Sequence, residues 1–516
     1  MPGHLDYPDI PFHALLKLAA ERWPDQIALV FGDRHYSFAD LNSKATRFAN
    51  ALRDLGLSKG DRVALFLPNF PEYEIAFFGA CRAGAVPTPL NPSYKEREVR
   101  YQTNDAGARL LVTHESLLPV VEAARDSLET VETIVVVGKP LWGALAFEDL
   151  LSAQSDTYSE LSLEAEDLAS LPYSSGTTGA SKGVMLSQRN LVSNALQFVA
   201  CTQTSVQDAI LIFLPLYHIY GVALMSNAVA AGARQVLMPR FDLAELLRLL
   251  IQESVTELFV VPPVMIALAG SPDVDPKAFR SLRFLMSAAA PLAPDVARRV
   301  ADRLGVRAIQ AYGMTEASPL THMVAMDDAE APIDSVGVPA PDTECRIVDL
   351  ESGTSEMPLG EPGEVVISGP QVMQGYWEAP EETARALRNG WLHTGDVGRV
   401  DETGNLYIVD RTKEMIKYKA FSIAPAELEG LLLEHPAVAD CAVTGHADEE
   451  AGEVPHAFVV LRAESTVVPG EIQAWAKSRV ASYKEIKYLD VVEAIPRTPS
   501  GKILRRMLRQ TATAPS

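Results

Sequence analysis

Between Tyr173 and Gly183 the chain reads Tyr-Ser-Ser-Gly-Thr-Thr-Gly-Ala-Ser-Lys-Gly, with three glycines, five Ser/Thr hydroxyls and one lysine. Glycine lets a loop bend where a Cβ would clash, and it brings main-chain N–H groups close to a ligand. Hydroxyls and an ammonium add donors suited to phosphate oxygens. A solvated linker has a similar composition. Hydrophobic runs flank this one, however (Leu168-Ala-Ser-Leu-Pro before, Val184-Met-Leu after), and they favour a phosphate cradle set in a packed core. It is not the common P-loop, which needs Gly, four residues, then Gly-Lys-Ser/Thr. Here Lys182 stands six positions after Gly176 and is followed by Gly183, so the Mg²⁺-binding hydroxyl of a P-loop is missing.

Five further segments carry chemistry-bearing side chains. Leu214-Pro-Leu-Tyr-His-Ile-Tyr-Gly221 sets His218 between aromatics, where a satisfied core histidine and a functional one are both open readings. Tyr312-Gly-Met-Thr-Glu-Ala317 puts Thr315 and Glu316 just after a strand-like run, where a hydroxyl and a carboxylate suit a phosphate and its metal ion. Trp391-Leu-His-Thr-Gly-Asp396 ends on a carboxylate able to accept from sugar hydroxyls. Asp410-Arg-Thr-Lys-Glu-Met-Ile-Lys-Tyr-Lys-Ala420 is highly charged. Pro496-Arg-Thr-Pro-Ser-Gly-Lys502 presents a lysine on a Pro/Gly-rich turn, followed by Arg505, Arg506 and Arg509. That basic tail is either a solvated face or a receiver for an anionic cofactor.

The elements that must hold these groups follow from periodicity. Helical patterns run from Phe38 to Leu55 and from Tyr73 to Ala85. Apolar runs of parallel-strand type lie at Gly60–Pro68, Leu110–Thr113, Thr133–Val137, Gln235–Met238 and Glu257–Pro263, with a helix from Leu243 between the last two. Such alternation predicts layered α/β sheets. After about residue 340, short runs at Glu344–Asp349, Gly363–Gly369 and Gly404–Asp410 are separated by turn residues and predict a small β-rich subdomain. The expected organisation is an N-terminal domain over 1–409, with the β-rich part at about 335–409. A C-terminal domain over 410–516, with its own pattern of helices and strands, follows the charged stretch that begins at Asp410.

At 516 residues, more than one core is expected. The net charge of −22 argues against a nucleic-acid partner and against an anionic membrane surface. The apolar stretch from Ile210 to Ala231 is broken by Pro215, His218, Gly221 and Asn227. It reads as a buried strand and a core helix rather than an integral membrane segment. Four scattered cysteines show neither metal-ligand spacing nor a disulfide framework, which suits a cytoplasmic setting. The opening Met-Pro-Gly-His-Leu-Asp carries no signal pattern. A monomer or a homodimer is expected.

Taken in order, these motifs resemble the adenylate-forming enzymes: acyl-CoA synthetases, aryl-CoA ligases such as 4-coumarate–CoA ligase, and beetle luciferases. The resemblance runs from Tyr36-Ser-Phe-Ala-Asp-Leu to Pro-Ser-Gly-Lys502. It implies ATP, Mg²⁺ and coenzyme A as cofactors and a small carboxylic acid as substrate. The acid becomes an acyl-adenylate with loss of pyrophosphate and is then passed to a thiol. By the same resemblance, Ser174, Ser175, Gly176, Thr177, Thr178, Gly179 and Lys182 would embrace the β- and γ-phosphates. Thr315 would touch the α-phosphate and Glu316 would help hold Mg²⁺. Tyr312 and Ala289 would border the adenine side, and Asp396 and Arg411 would bind the ribose. Lys502 would bridge carboxylate and α-phosphate. The mobile C-terminal α+β domain would then swing about a hinge at 410–413, a charged, poorly apolar stretch that suits exposure, and replace Lys502 with the Lys417 segment. His218, Ile219, Tyr220, Ala288, Ala311, Pro319 and Leu320 would border the acyl pocket. Arg505 and Arg506 are candidate contacts for coenzyme A phosphates.

Three alanines stand where relatives carry glycine: Ala288, Ala311 and Ala420. Two added methyls should narrow the acyl pocket, so a medium- or long-chain fatty acid is the expected substrate, with an aryl acid as the alternative. Ala420 falls where the thiol tunnel passes the main chain. A ligase loading a carrier protein and a catalytically inactive interaction module are the remaining rivals. The second would need loss of Lys502, Glu316 or the glycine loop, and all three are present.

Overall fold

The computed structural model describes residues 3–174, 181–411, 414–419, 421–448, 451–463, 465, 467–498 and 501–512. Among these residues the strands form five sheets. The largest has nine strands, and its centre is parallel: Ala209–Ile212 lies between Arg234–Leu237 and Glu257–Val260, followed outward by Phe284–Ser287 and Ala308–Gly313. A second, all-parallel sheet holds Arg62–Phe66, Val86–Pro89, Ala108–His114, Thr133–Val137 and Leu145–Ala146. Parallel strands are covered on both faces, which is why these segments read as continuous apolar runs. Ala209–Ile212 and Glu257–Val260 are buried at every position.

The strand order reverses at Ala209–Ile212. The chain steps to Arg234–Leu237 on one side and to Glu257–Val260 on the other. In open α/β sheets the crevice beyond the carboxyl ends of strands at such a switch is where ligands bind. The loop bearing His218 leaves the sheet there.

The expected β-rich part is an antiparallel sheet of Glu344–Val348, Gly363–Ser368, Trp391–Val400, Leu387–Arg388 and Leu406–Arg411. Beyond it, Ile416–Tyr418, Phe421–Ile423, Val438–Asp448, Gly452–Leu461 and Tyr488–Val491 make a sheet with its own core around Ile416, Leu428, Val443 and Ile472. The helices Phe38–Asp54 and Pro71–Arg82 begin near the expected positions, the second ending before Ala85. Ser37 caps the first through a reciprocal bond with Asp40. No helix among the described residues is long and apolar enough to cross a membrane.

One expectation about the hinge fails. Asp410 is buried, and its carboxylate accepts the Ala426 N–H at 3.0 Å and the Arg411 N–H at 2.7 Å. Its charge is consumed locally, so a charged residue here does not imply an exposed one. Burial pushes its carboxyl up to about 6. Thr412 and Lys413, the rest of the expected hinge, lie outside the described residues.

Candidate active site

The floor of the site is built where the strand Ala308–Gly313 ends. Met314 donates its N–H to the Pro319 carbonyl at 3.0 Å, folding the loop back on itself. A Cβ at Gly313 would stand 2.2 Å from that same oxygen, so no other residue fits. The short helical turn Thr315–Ala317 that follows leaves Thr315 half-buried and Glu316 buried. Glu316 Oε1 accepts from the Ser174 hydroxyl at 3.0 Å and from the Tyr376 hydroxyl at 2.9 Å. These bonds tie the strand's end to the edge of the glycine loop.

Asp396 and Arg411 are cross-strand partners in the β-rich sheet, which places opposite charges face to face. Arg411 Nε lies 3.0 Å from Asp396 Oδ1, and the Tyr312 hydroxyl donates to Asp396 Oδ2 at 2.6 Å. Three of the four residues expected to meet adenine and ribose, Tyr312, Asp396 and Arg411, are therefore one linked unit.

Lys502 arrives from the C-terminal sheet's domain on a tight turn. Its N–H is accepted by the Thr498 hydroxyl at 3.0 Å, and Gly501 takes φ +84°, where a Cβ would stand 3.2 Å from Val261 and Pro263. Burial lowers the lysine from 10.5 to about 8. Arg411 pushes in the same direction, while Asp396, Glu414 and Glu316 pull the other way. The ammonium thus shares its surroundings with the groups of the floor. Lys417 does not: it is exposed on the strand Ile416–Tyr418, its N–H bound to Glu453 at 2.8 Å.

His218 is the N-cap of the helix Ile219–Ala231, its Nδ1 accepting the Tyr220 N–H at 3.2 Å. Burial depresses it to about 4, so the ring is neutral. With Nδ1 an acceptor, the proton sits on Nε2, which is left as a donor. Gly221 makes this cap possible, since a Cβ there would meet the Pro215 carbonyl at 2.3 Å. Ile219, Tyr220, Ala311, Pro319 and Leu320 are buried, and Ala288 is partly so. The Tyr220 hydroxyl is buried and has no hydrogen-bond partner among the described residues. Ala289 holds φ +72°, a left-handed conformation that costs an alanine about 1–2 kcal/mol. Such strain concentrates at functional sites.

Beside these groups, at the switch point, a cavity of about 480 Å³ is lined by Asn69, Tyr217, Val261 and Pro263 on one side and by Arg497 and Gly501 on the other. Ser175, Gly176, Thr177, Thr178 and Gly179 of the glycine loop, and Ala420, lie outside the described residues. Ser174 and Lys182 frame the loop as paired strand residues. Arg505 corrects another expectation. It turns inward to Glu429 Oε1 at 2.6 Å and to the Val443 carbonyl at 3.0 Å, and so braces the domain rather than facing coenzyme A phosphates.

Sequence reasoning missed Tyr376 and Glu382, which meet Glu316 and Lys182 respectively. The one signal available was Gln374-Gly-Tyr-Trp377, a glycine before two aromatics. Gly375 takes φ +150° there, against the Thr383 side chain.

Residues 16–377 match the AMP-binding enzyme family and residues 427–502 the AMP-binding enzyme C-terminal domain. The chain is 42% identical over 509 residues to 4-coumarate–CoA ligase-like 9 of Oryza sativa subsp. japonica, covering 95% of this chain and 90% of that one. Among solved structures it resembles the anthranilate CoA ligase AuaEII in complex with anthranoyl-AMP, with a TM-score of 0.91, 28% identity and coverage of 99% and 98%. ATP-bound MatB from Rhodopseudomonas palustris superposes with a TM-score of 0.90 at 30% identity, covering 97% and 99% of the two chains. The apo form of that protein gives 0.79.

Proposed function

Since the chain belongs to the AMP-binding enzymes and is an AMP-forming acyl- or aryl-CoA ligase, we propose that its acid is aromatic and carries a polar ring substituent. The observation that carries this is the Tyr220 hydroxyl, which lies in the helix that His218 caps and is buried with no partner among the described residues. An unmet buried hydroxyl costs about 1–3 kcal/mol, and a substrate hydroxyl or carbonyl would relieve it. An alkyl chain would not. The fatty acid expected from Ala288 and Ala311 has less support than the aryl alternative, because relatives named for 4-coumarate and anthranilate share nearly the whole chain. What stays of the steric argument is narrower: two methyls limit the size of ring substituents.

In this reading the substrate carboxylate lies between the His218 Nε2–H and the Lys502 ammonium. It is already ionised near neutral pH, so no base is needed. One carboxylate oxygen attacks the α-phosphorus of ATP, the bond to the bridging oxygen breaks, and pyrophosphate leaves. Thr315 and Lys502 stabilise the charge gathering on the α-phosphate, and fixed donors at that point lower the barrier most. Tyr312, Asp396 and Arg411 orient the nucleoside, which converts a two-body collision into a positioned reaction. Glu316 offers a single carboxylate oriented by two hydroxyls, and Mg²⁺ held by one carboxylate, phosphate oxygens and water fits that ion's habit. When bound, the metal would neutralise phosphate charge.

Coenzyme A sulfur then attacks the acyl carbon and AMP departs. The cavity between Tyr217 and Arg497 is our candidate approach for the thiol, and it opens if the Lys502 turn withdraws as the Lys417 strand moves in. Four free cysteines suit the cytoplasmic setting in which such a thiol is available. The test is pyrophosphate release and thioester formation across hydroxylated aryl acids, unsubstituted aryl acids and a ladder of aliphatic acids. Faster turnover of the aliphatic series would overturn the aryl reading. Adenylate without any thioester would instead point to a carrier-protein acceptor.

A further inference from the structure

Lys182, the one cation of the glycine loop, is already occupied. Its ammonium forms an ion pair with the carboxylate of Glu382 and lies 5.4 Å from the centre of the Tyr376 ring. Glu382 belongs to the short helix Pro380–Ala386, and its other oxygen accepts from Arg385 Nη1 at 2.6 Å. The helix is fixed against the loop's strand. Gly375–Tyr376 pairs with Val184–Met185, Trp377 donates to the Gly183 carbonyl at 2.8 Å, and the Tyr376 N–H is accepted by the Thr383 hydroxyl at 2.9 Å. The acid is therefore held opposite the base by backbone pairing rather than by chance of two long side chains.

Resting on the reading that Lys182 grips the β- and γ-phosphates, we propose that Glu382 is an internal stand-in for pyrophosphate. It holds Lys182 while the site is empty, yields it to the triphosphate tail, and takes it back as pyrophosphate leaves. Two anions compete for one ammonium, so every increment of Lys182–Glu382 attraction is subtracted from phosphate affinity on both sides of the reaction. The consequence is weaker ATP binding and easier release of the first product. Tyr376 keeps the ammonium over its ring in either partnership and, through its hydroxyl on Glu316, links the exchange to the carboxylate placed for the metal. Glu382 acts through Lys182 and is a positioning residue.

Both side chains are partly exposed, 24% for Lys182 and 34% for Glu382, so the pair is screened and its effect is of the size of a surface ion pair. In the full chain, Glu382→Gln should lower the KM for ATP and tighten inhibition by inorganic pyrophosphate together, each by roughly two- to fivefold. Both changes should shrink as salt rises. Glu382→Ala should move both in the same direction. Glu381→Gln removes the same charge from the same helix, but that carboxylate is 87% exposed and pairs only distantly with Arg385 at 3.6 Å. It should change neither constant. Lys182→Met should raise the KM for ATP and erase the effect of Glu382→Gln in the double variant. If Glu382→Gln leaves both constants unchanged, or weakens ATP, while Lys182→Met still raises the KM, the stand-in proposal is wrong and the phosphate grip survives. If Lys182→Met leaves ATP use untouched, the grip itself is wrong and the proposal falls with it.

Discussion

Lys502 sits in a largely desolvated turn beside Arg411, and the two effects lower it from 10.5 to about 8. Adenylation in our reading needs the charged form, because the ammonium faces the carboxylate and α-phosphate while negative charge gathers there. Raising the pH through about 8 should therefore remove the first half-reaction. The profile of kcat/KM reports the free enzyme, so it should bend there and lose roughly tenfold per pH unit above it. Once the carboxylate and ATP are bound, two anions favour the charged lysine, and the bend in kcat should lie at higher pH. An unperturbed lysine would stay almost fully charged through about pH 9. The separation of the two bends measures how much the substrates hold the proton.

Lys502→Arg supplies the control, since a guanidinium stays charged throughout the range. The variant should be slower but should lose the alkaline bend. Lys502→Ala should cost roughly two to three orders of magnitude in adenylation, with far less effect on thioester formation from preformed acyl-adenylate. The assay is single-turnover pyrophosphate release against pH, with thioester formation from the adenylate followed in parallel. Glu74 and Glu257 are also pushed up to about 8 by burial, so a thermal melt at each pH must exclude unfolding as the cause. An alkaline bend that persists in Lys502→Arg, or an equal loss in both half-reactions, would refute the assignment.

Three further outcomes are expected. Tyr220→Phe should lower kcat/KM for a hydroxylated aryl acid by roughly 2- to 12-fold, the worth of one hydrogen bond, and should leave the unsubstituted acid unharmed; equal changes for both would sink the substituent argument. Ala288→Gly with Ala311→Gly should admit bulkier ring substituents, with a gain of about 1–3 kcal/mol in transition-state binding for acids that are now excluded, read as kcat/KM across a substituted series. Glu74 is buried, accepts from Gln235 at 3.1 Å, and is pushed up from 4.5 to about 8 by its burial. The folded chain then holds a proton that the unfolded chain releases above 4.5, so this group's stability is full below that value and is lost as pH climbs to about 8. Glu74→Gln should flatten part of the fall in melting temperature over that window, Glu257 retaining its own share.

Much of the fold was legible because its cause is local. Runs such as Ala209–Ile212 and Glu257–Val260 are wholly apolar or nearly so, as strands covered on both faces must be, and the helix from Phe38 shows in its own period. His218, Thr315, Glu316 and Lys502 were legible as chemistry-bearing residues on turns, and the family resemblance supplied their roles. Asp410 was misjudged because charge in a sequence says nothing of a nearby helix N–H, and Arg505 because a basic run looks alike whether its members face solvent or a buried glutamate. Neither local composition nor spacing encodes a partner contributed by another element.

That limit decides which parts of the site only the fold reveals. Ser174 meets Glu316 across 142 residues, Tyr312 meets Asp396 across 84, and Lys182 meets Glu382 across 200. The last pair is set by sheet pairing, since the strand Gly375–Tyr376 docks on Lys182–Ser187, whereas Tyr312 and Asp396 belong to different sheets and Glu316 to a short helical turn. A motif can therefore name the groups that touch ATP while leaving unnamed the groups that restrain them. Tyr376 and Glu382 are of the second kind. They alter when Lys182 and Glu316 are available rather than what those residues do, so variation at Glu382 can tune nucleotide affinity and product release while every motif that identifies the chemistry stays unchanged.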